Sequence, residues 1–235
     1  MIEISPVKLY EFLKSRNFQY FFHANTVKTS CTLINQKGLL SRAELENRGL
    51  AMTSQSSDDI DKHFHVWNDI FFDIVDLHGY FPRQNLYGPV CFKLSNEFLL
   101  DKNLPNLCIT KNNPIYWQDG MTEEEKYYSS VDEYVSEFKQ NMENHTIQAK
   151  MFTIHDTNKR IPFKKYLVEV LLDNPYVKVN DVPLFPSAKQ ALISSLNESG
   201  FDENILKVRK CNNCYCRDNY LKQVNANELE KLFKP

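Results

Sequence analysis

Apolar residues recur at helical spacing in four parts of the chain, which predicts four amphipathic helices. These helices start at Pro6 and cover residues 26–38, 122–144 and 187–198. Asn25 or Thr26 is suited to cap the second helix, and Gly38 is suited to end it. Thr122, followed by three glutamates, gives the third helix a capping box and negative charge at its positive end.

Short continuous apolar runs between these helices predict buried β-strands. The runs cover residues 20–23, 69–75, 89–94, 107–110, 151–154, 165–172 and 206–208. Residues 43–62 are polar and carry only short helical patches, so we expect a long functional loop there. Neither a repeat nor a Gly/Ser linker interrupts this series of predicted helices and strands, which indicates one mixed α+β domain over residues 1–235.

The composition indicates a packed globular protein with an aromatic core, because 42% of the residues are hydrophobic and 16 Phe and 12 Tyr are present. A net charge of -2 argues against attraction of the whole protein to nucleic acid, although a local basic face remains compatible with it. No apolar stretch approaches the roughly 18 residues of a membrane span, and the N-terminal residues lack a signal-peptide run. We therefore expect a cytoplasmic protein without a membrane partner.

Several common catalytic motifs are absent from the sequence. It contains neither the G-x-G-x-x-G nor the G-x-x-x-x-G-K-[ST] phosphate loop, and it has only six glycines. H-E-x-x-H and G-x-S-x-G are also missing. These absences exclude the simplest nucleotide-fold, metalloprotease and α/β-hydrolase interpretations.

Glu169 interrupts an apolar run over residues 166–172, where both faces of a strand are expected to be buried. One interpretation is a structural glutamate that faces solvent or pairs with a cation. The other is a functional carboxylate held in a cleft. Periodicity alone leaves both open.

Three segments resemble the DarT-type ADP-ribosyltransferases. The first is Tyr20-Phe-Phe-His-Ala-Asn-Thr-Val27, followed after a helix by Gly38-Leu-Leu-Ser-Arg42. The second covers residues 69–73 and 85–90, and the third is the strand of Glu169 with the Asn174-Pro175 pair after it. Together these motifs extend over roughly residues 19–197.

The resemblance implies an ADP-ribosyltransferase-like fold, a split mixed β-sheet with flanking helices, that uses NAD as a substrate. Its catalytic residue would be Glu169, which would stabilise the oxocarbenium-like ribose formed when nicotinamide leaves. The NAD-binding residues would be His23, Asn25, Thr26, Ser41, Arg42 and Tyr87, with the arginine on the diphosphate or a ribose and the tyrosine stacked on nicotinamide. From the residues alone, the alternatives are that His23 is a satisfied core histidine and that Arg42 is a solvated residue at a helix start.

One position departs from the family. Where DarT-type proteins have an arginine before the central strand, this sequence has Asp61-Lys-His-Phe-His65. Lys62, His63, Arg48 or Arg42 could take over that role.

The resemblance also implies that the acceptor is a nucleic acid, DNA or mRNA. It implies a toxin that acts in phage defence and that an antitoxin protein neutralises. The alternative is a catalytically inactive relative that acts as a binding or antitoxin module. The sequence does not indicate an oligomeric state.

The segment 207–235 is basic and cysteine-rich. Its candidates for nucleic-acid contact are Lys207, Arg209, Lys210 and Tyr215, which would meet phosphates and stack on a base. A second alternative function is therefore a nucleic-acid-binding module built on this segment, and an ordinary solvated face would explain the same residues.

The cysteines of this segment are Cys211, Cys214 and Cys216, which are spaced as zinc ligands often are. A four-ligand site needs one more residue, and no second C-x-x-C pair supplies it. Reduced surface thiols or a disulfide formed on handling are the alternatives. We therefore predict no metal site.

Overall fold

The computed structural model describes residues 4–76, 78, 87–103, 107–143, 151–155, 160–212, 214–222 and 224–235, without the side chains of residues 139–143 and 215. The strands are β1 (Tyr20–Asn25), β2 (Gly38–Leu39), β3 (Ile70–Asp73), β4 (Val90–Ser95), β5 (Leu107–Ile109), β6 (Met151–Ile154), β7 (Ile161–Pro162), β8 (Leu167–Asn174), β9 (Lys178–Val179), β10 (Val182–Pro183) and β11 (Leu206–Lys210). The helices are α1 (Pro6–Ser15), α2 (Val27–Asn35), α3 (Arg42–Asn47), α4 (Asp58–His63), α5 (Glu123–Lys126), α6 (Val131–Glu143), α7 (Phe163–Tyr166), α8 (Phe185–Glu198), α9 (Tyr215–Lys222) and α10 (Ala226–Phe233).

A seven-stranded mixed sheet organises the fold, with the strand order β11-β8-β4-β1-β3-β6-β5. The β11–β8 pair is parallel, and the other neighbouring pairs are antiparallel. Two small two-stranded sheets, β2 with β7 and β9 with β10, lie apart from it. This architecture confirms the expected α+β class with a mixed sheet and flanking helices.

The two faces of the main sheet differ in character. One face carries the buried aromatic core, in which Phe21 contacts the rings of Phe72 and Phe152 edge to face. Successive side chains of a strand point to opposite faces of the sheet, so the residues next to these core residues lie on the other face, which we call the open face. On this face Phe22 of β1 pairs with Asp73 of β3 on one side and with Lys93 of β4 on the other. Lys93 in turn pairs with Glu169 of β8. All four residues are partly exposed. The open face is therefore the side of the sheet that is available for chemistry.

Every predicted strand is present, with shifts of at most two residues at the ends. The helix ends differ more. α2 ends at Asn35, and Gly38 belongs to β2 rather than serving as the helix stop. A Cβ on Gly38 would lie 2.6 Å from the carbonyl oxygen of Ile161, so the close approach of β7 explains this glycine.

The single helix predicted over residues 122–144 is two helices, α5 and α6, and residue 144 lies outside the described residues. The capping box of Thr122 is present as predicted. The chain leaves the helix at Tyr127 and Tyr128 because both rings are buried and the amide of Tyr128 donates to the carbonyl of Ile109. Tertiary packing thus overrides helical spacing here.

Two further regions contain short helices, and those in the first agree with its predicted helical patches. The predicted loop over residues 43–62 contains the short helices α3 and α4, and the basic C-terminal segment continues from β11 into α9 and α10. In the part of the chain that the structure describes, no helix has both the length and the apolar character needed to cross a bilayer.

Candidate functional site

A cavity of about 500 Å³ opens at the end of β1. Five of the predicted NAD-binding residues line it: His23, Asn25, Thr26, Arg42 and Tyr87. Residues from the open face, from the segment before α4 and from α10 complete the wall. The structure thus gathers most of the predicted NAD-binding set around one space.

His23 is held in a defined orientation at the cavity wall. Its Nδ1 lies 2.8 Å from the carbonyl oxygen of Phe71, so Nδ1 carries the proton and donates it. Its Nε2 then accepts from the Asn25 side-chain amide at 3.3 Å. Burial lowers the pKa of His23 from its ordinary value of 6.5, which favours the neutral ring. This histidine therefore fixes Asn25 rather than supplying a positive charge.

Thr26 joins the start of α2 to the segment before α4. Its Oγ1 caps the helix by accepting from the amide of Thr29 and lies 2.8 Å from the Oγ1 of Thr53. The Thr53 amide donates to the Oγ1 of Thr29 at 2.9 Å. The N-terminus of α2, with its positive dipole end, is thereby held at the cavity.

Arg42 supplies a positive charge at the cavity. Its Nη2 donates to the carbonyl of Thr53 at 3.0 Å and to Asp58 at 2.7 Å, and its guanidinium carbon lies 5.1 Å from the ring centre of Trp67. The Nε and Nη1 atoms are buried and donate to no partner among the described residues. Arg42 lines the cavity, so its guanidinium places a positive charge beside any anion bound there.

Ser41 is the one predicted NAD-binding residue that does not line the cavity. Its hydroxyl accepts from the amide of Glu44 and donates to Asn68 at 2.9 Å, so it caps α3 and sets the start of the helix. It acts on the cavity through Arg42, the next residue.

The carboxylates of the cavity were not among the predicted residues. Asp61, Asp69 and Asp73 line it. Asp69 is committed to Thr153 and His155, at 3.0 Å and 2.9 Å. Burial raises the pKa of Asp61 to about 6, because the carboxylate is removed from water.

Tyr87 lies at the mouth of the cavity, where its hydroxyl accepts from the side-chain amide of Asn113 at 3.2 Å. The residue is 41% exposed, which leaves its ring accessible for stacking.

Glu169 does not line the cavity. Its Oε2 accepts from the Lys93 ammonium at 3.1 Å, and that ammonium lies 4.2 Å from the ring centre of Tyr20. Glu169 nevertheless lies on the open face, together with Ala24 and Asp73, which do line the cavity. Strand spacing and rise place its Cα roughly 12 Å from that of Ala24.

A β-bulge precedes Glu169. Lys93 pairs with Glu169 but Leu94 pairs with Leu167, so Val168 is an extra residue without a partner on β4. Bulges re-aim neighbouring side chains and are common beside active sites.

The residues predicted for nucleic-acid contact are divided by the structure. Lys207 and Lys210 are exposed on β11. Arg209 is instead paired with Asp173 at 2.7 Å and with Asp76, so its guanidinium is not free for phosphate as we had expected. The side chain of Tyr215 lies outside the described residues.

Three groups of cavity residues were missed: Trp67, the aspartates, and the α10 residues Glu228, Lys231 and Leu232. The polar segment 43–62 did indicate a functional loop, and it contributes the walls around Thr53. No local pattern could place α10 there, because α10 is about 200 residues from β1 in the sequence.

No family model matches the sequence, and no curated protein matches it either. Among solved structures, the fold is similar to that of DarT from Thermus sp. 2.9 in complex with NAD+. The two chains are 10% identical, the TM-score is 0.48, and the similarity covers 82% of this chain and 96% of that chain.

Proposed function

We propose that this protein cleaves NAD and transfers ADP-ribose to a nucleic acid. The observation that carries the proposal is the convergence of His23, Asn25, Thr26 and Arg42 on one cavity, since the sequence motifs had assigned these residues to NAD. A volume of about 500 Å³ suits a ligand the size of a dinucleotide.

The diphosphate is assigned to the Arg42 side of the cavity. The Arg42 guanidinium lines the cavity and places a positive charge there that attracts phosphate oxygens, and the N-terminus of α2 adds a favourable dipole. Trp67 lies under the guanidinium and holds it in place.

The nicotinamide ribose is assigned to the open face between the cavity and Glu169. An NAD molecule that leaves the cavity along this face can span the roughly 12 Å to β8. The bond between ribose C1′ and nicotinamide breaks, and nicotinamide leaves with the electron pair. A nucleophilic atom of the acceptor then bonds to C1′ and loses its proton to solvent. Glu169 stabilises the ribose cation that forms between these events.

The acceptor assignment rests on the sequence resemblance and on the exposed cations of β11. Lys207 and Lys210 stand in water on the outermost strand of the main sheet, where a phosphate backbone can reach them. A toxin that acts in phage defence in the cytoplasm, with an antitoxin protein as its partner, is part of the same proposal.

The test is incubation of the pure protein with NAD labelled in its adenylate half, together with protein, DNA and RNA as separate acceptors. We expect label in a nucleic-acid fraction and release of nicotinamide. Glu169→Gln removes the charge and keeps the shape, so the rate should fall about 100- to 1000-fold, as when a single electrostatic stabiliser is lost. Glu198→Gln, at an exposed glutamate at the end of α8, is the matched control and should retain full activity.

Two outcomes would contradict the proposal. Absence of nicotinamide release from the wild type, with all acceptors present, would favour the inactive binding or antitoxin module. The second outcome is a protein that releases no nicotinamide but binds nucleic acid, and that loses this binding in the double variant Lys207→Glu, Lys210→Glu. It would favour the binding module built on the C-terminal segment.

A further inference from the structure

The C-terminal cysteines lie beside a histidine from the first third of the chain. The ligand atoms of His78, Cys211, Cys214 and Cys216 all lie within 4.8 Å of one another. The Nε2 of His78 is 3.8 Å from the sulfur of Cys211 and 3.6 Å from that of Cys216, and the sulfurs of Cys214 and Cys216 are 3.1 Å apart. His78 is thus the fourth residue that the sequence had not supplied.

These separations fit a tetrahedral zinc ion. Zinc–sulfur bonds of about 2.3 Å and zinc–nitrogen bonds of about 2.0 Å place neighbouring ligand atoms about 3.5 to 3.8 Å apart. Both sulfur–nitrogen distances of His78 fall in that range. The sulfurs of Cys214 and Cys216 are closer than this, so they would move apart by less than about 1 Å on binding.

The surroundings of His78 also match a metal ligand. Its Nδ1 lies 2.9 Å from Asp173, and the other oxygen of that carboxylate accepts from Arg209 at 2.7 Å. A carboxylate on the far side of the imidazole sets the tautomer and turns Nε2 toward the metal. Asp173 and the side chains of Cys211 and Cys216 are buried, so this chain of contacts is shielded from water.

We propose that His78, Cys211, Cys214 and Cys216 bind one structural Zn²⁺ ion. Four protein ligands complete the tetrahedron and leave no position for a water or a substrate, which distinguishes a structural site from a catalytic one. The three thiols release their protons to solvent as the ion binds. Arg209, which is held by Asp173 and Asp76, provides a nearby positive charge for the resulting thiolate cluster.

The site links the end of the sheet to the candidate NAD cavity. Cys214 and Cys216 are at the start of α9, and Tyr220 of α9 packs its ring 5.4 Å from that of Phe233 in α10. α10 in turn contributes Lys231 to the cavity wall. Zinc therefore anchors the C-terminal helices against the sheet, and this role is independent of the proposed transfer reaction.

The experiment is elemental analysis of the full-length protein, purified under reducing conditions without chelator. We expect one zinc ion per chain, and replacement by Co²⁺ should give the thiolate-to-cobalt absorption of a tetrahedral sulfur site. Cys211→Ser and His78→Ala should lose the metal. Cys31→Ser, at a cysteine of α2, is the control and should retain it.

Two further variants separate metal loss from misfolding. His78→Cys preserves a four-ligand set and should retain zinc even if His78→Ala fails to fold. Asp173→Asn weakens the support of the imidazole, and its zinc affinity in chelator competition should fall roughly 10- to 100-fold. Metal-free wild type with six titratable thiols, a disulfide among these cysteines in the reduced preparation, or bound iron with sulfide would each overturn the proposal.

Discussion

Gly88 occupies a point where the chain passes directly against the cavity wall. It precedes β4 with a φ of 128°, and a Cβ there would lie 2.2 Å from the carbonyl oxygen of Asn25 and 2.6 Å from the amide nitrogen of Thr26. Both atoms belong to backbone, so a rotamer change cannot relieve the overlap. Gly88→Ala should therefore displace the end of β1 and the residues that line the cavity.

The expected loss in the free energy of unfolding of Gly88→Ala has two parts. A non-glycine residue at positive φ costs about 1 to 3 kcal/mol, and overpacking of a tight site costs about another 1 to 3 kcal/mol. Gly120 separates these parts, because its φ of 89° is also positive but nothing lies within 4 Å of a Cβ there. Gly120→Ala should thus carry the conformational cost alone. The two variants should differ by about 1 to 3 kcal/mol, or by a Tm difference of roughly 2 to 12 °C for a chain of this length.

The assay is urea unfolding followed by circular dichroism, combined with the thermal shift produced by NAD. Gly88→Ala should show the lower midpoint and a reduced NAD shift, while Gly120→Ala should keep the NAD shift of the wild type. Equal stability losses in the two variants would refute the close approach of residue 88 to β1.

Three other predictions concern the cavity and one helix end. Arg42→Lys replaces a fork of donors by a point charge, so NAD affinity by calorimetry should fall about 10- to 100-fold, whereas Arg48→Lys on the surface of the protein should leave it unchanged. The pKa of Asp61 is about 6 in the folded protein, against an ordinary value of 3.8. Between these two pH values the folded state binds more protons than the unfolded state, so the free energy of unfolding should decrease as the pH rises from about 4 to about 6. Asp61→Asn should abolish that slope in pH-dependent urea melts and should gain up to about 3 kcal/mol at neutral pH; an unchanged slope would assign it to another group. Thr122→Ala removes the capping box of α5 and should cost about 1 kcal/mol in the same melts, and a loss below about 0.3 kcal/mol would contradict this role.

Local pattern was sufficient to predict the strands of the main sheet, and the family resemblance selected residues of which five line one cavity. Strand β1 shows why. Its apolar residues, its histidine and the cap of the next helix are adjacent in sequence, so one short segment contains the cavity residues His23 to Thr26. The helix stop at Gly38 was misplaced because the close approach of β7 comes from more than 120 residues away.

Residues that meet only through the fold could not be predicted. His78 and Cys211 are separated by 133 positions, so the spacing of the three cysteines gave no indication that His78 lies beside them. Arg209 looked like a free cation because its partners, Asp76 and Asp173, are brought to it by different elements. For the same reason, the pairing of Lys93 with Glu169 and the bulge at Val168 were visible only in the structure.

The lysines of β11 also affect how the edge of the main sheet can meet another protein chain. In the described part of the chain, this strand ends the main sheet, and its outer row of amide and carbonyl groups has no neighbouring strand. Such a row can template hydrogen bonding to another copy of the chain, which leads to aggregation. Lys207 and Lys210 place like charges along that row, so a second copy approaching it would meet electrostatic repulsion before any ladder could form.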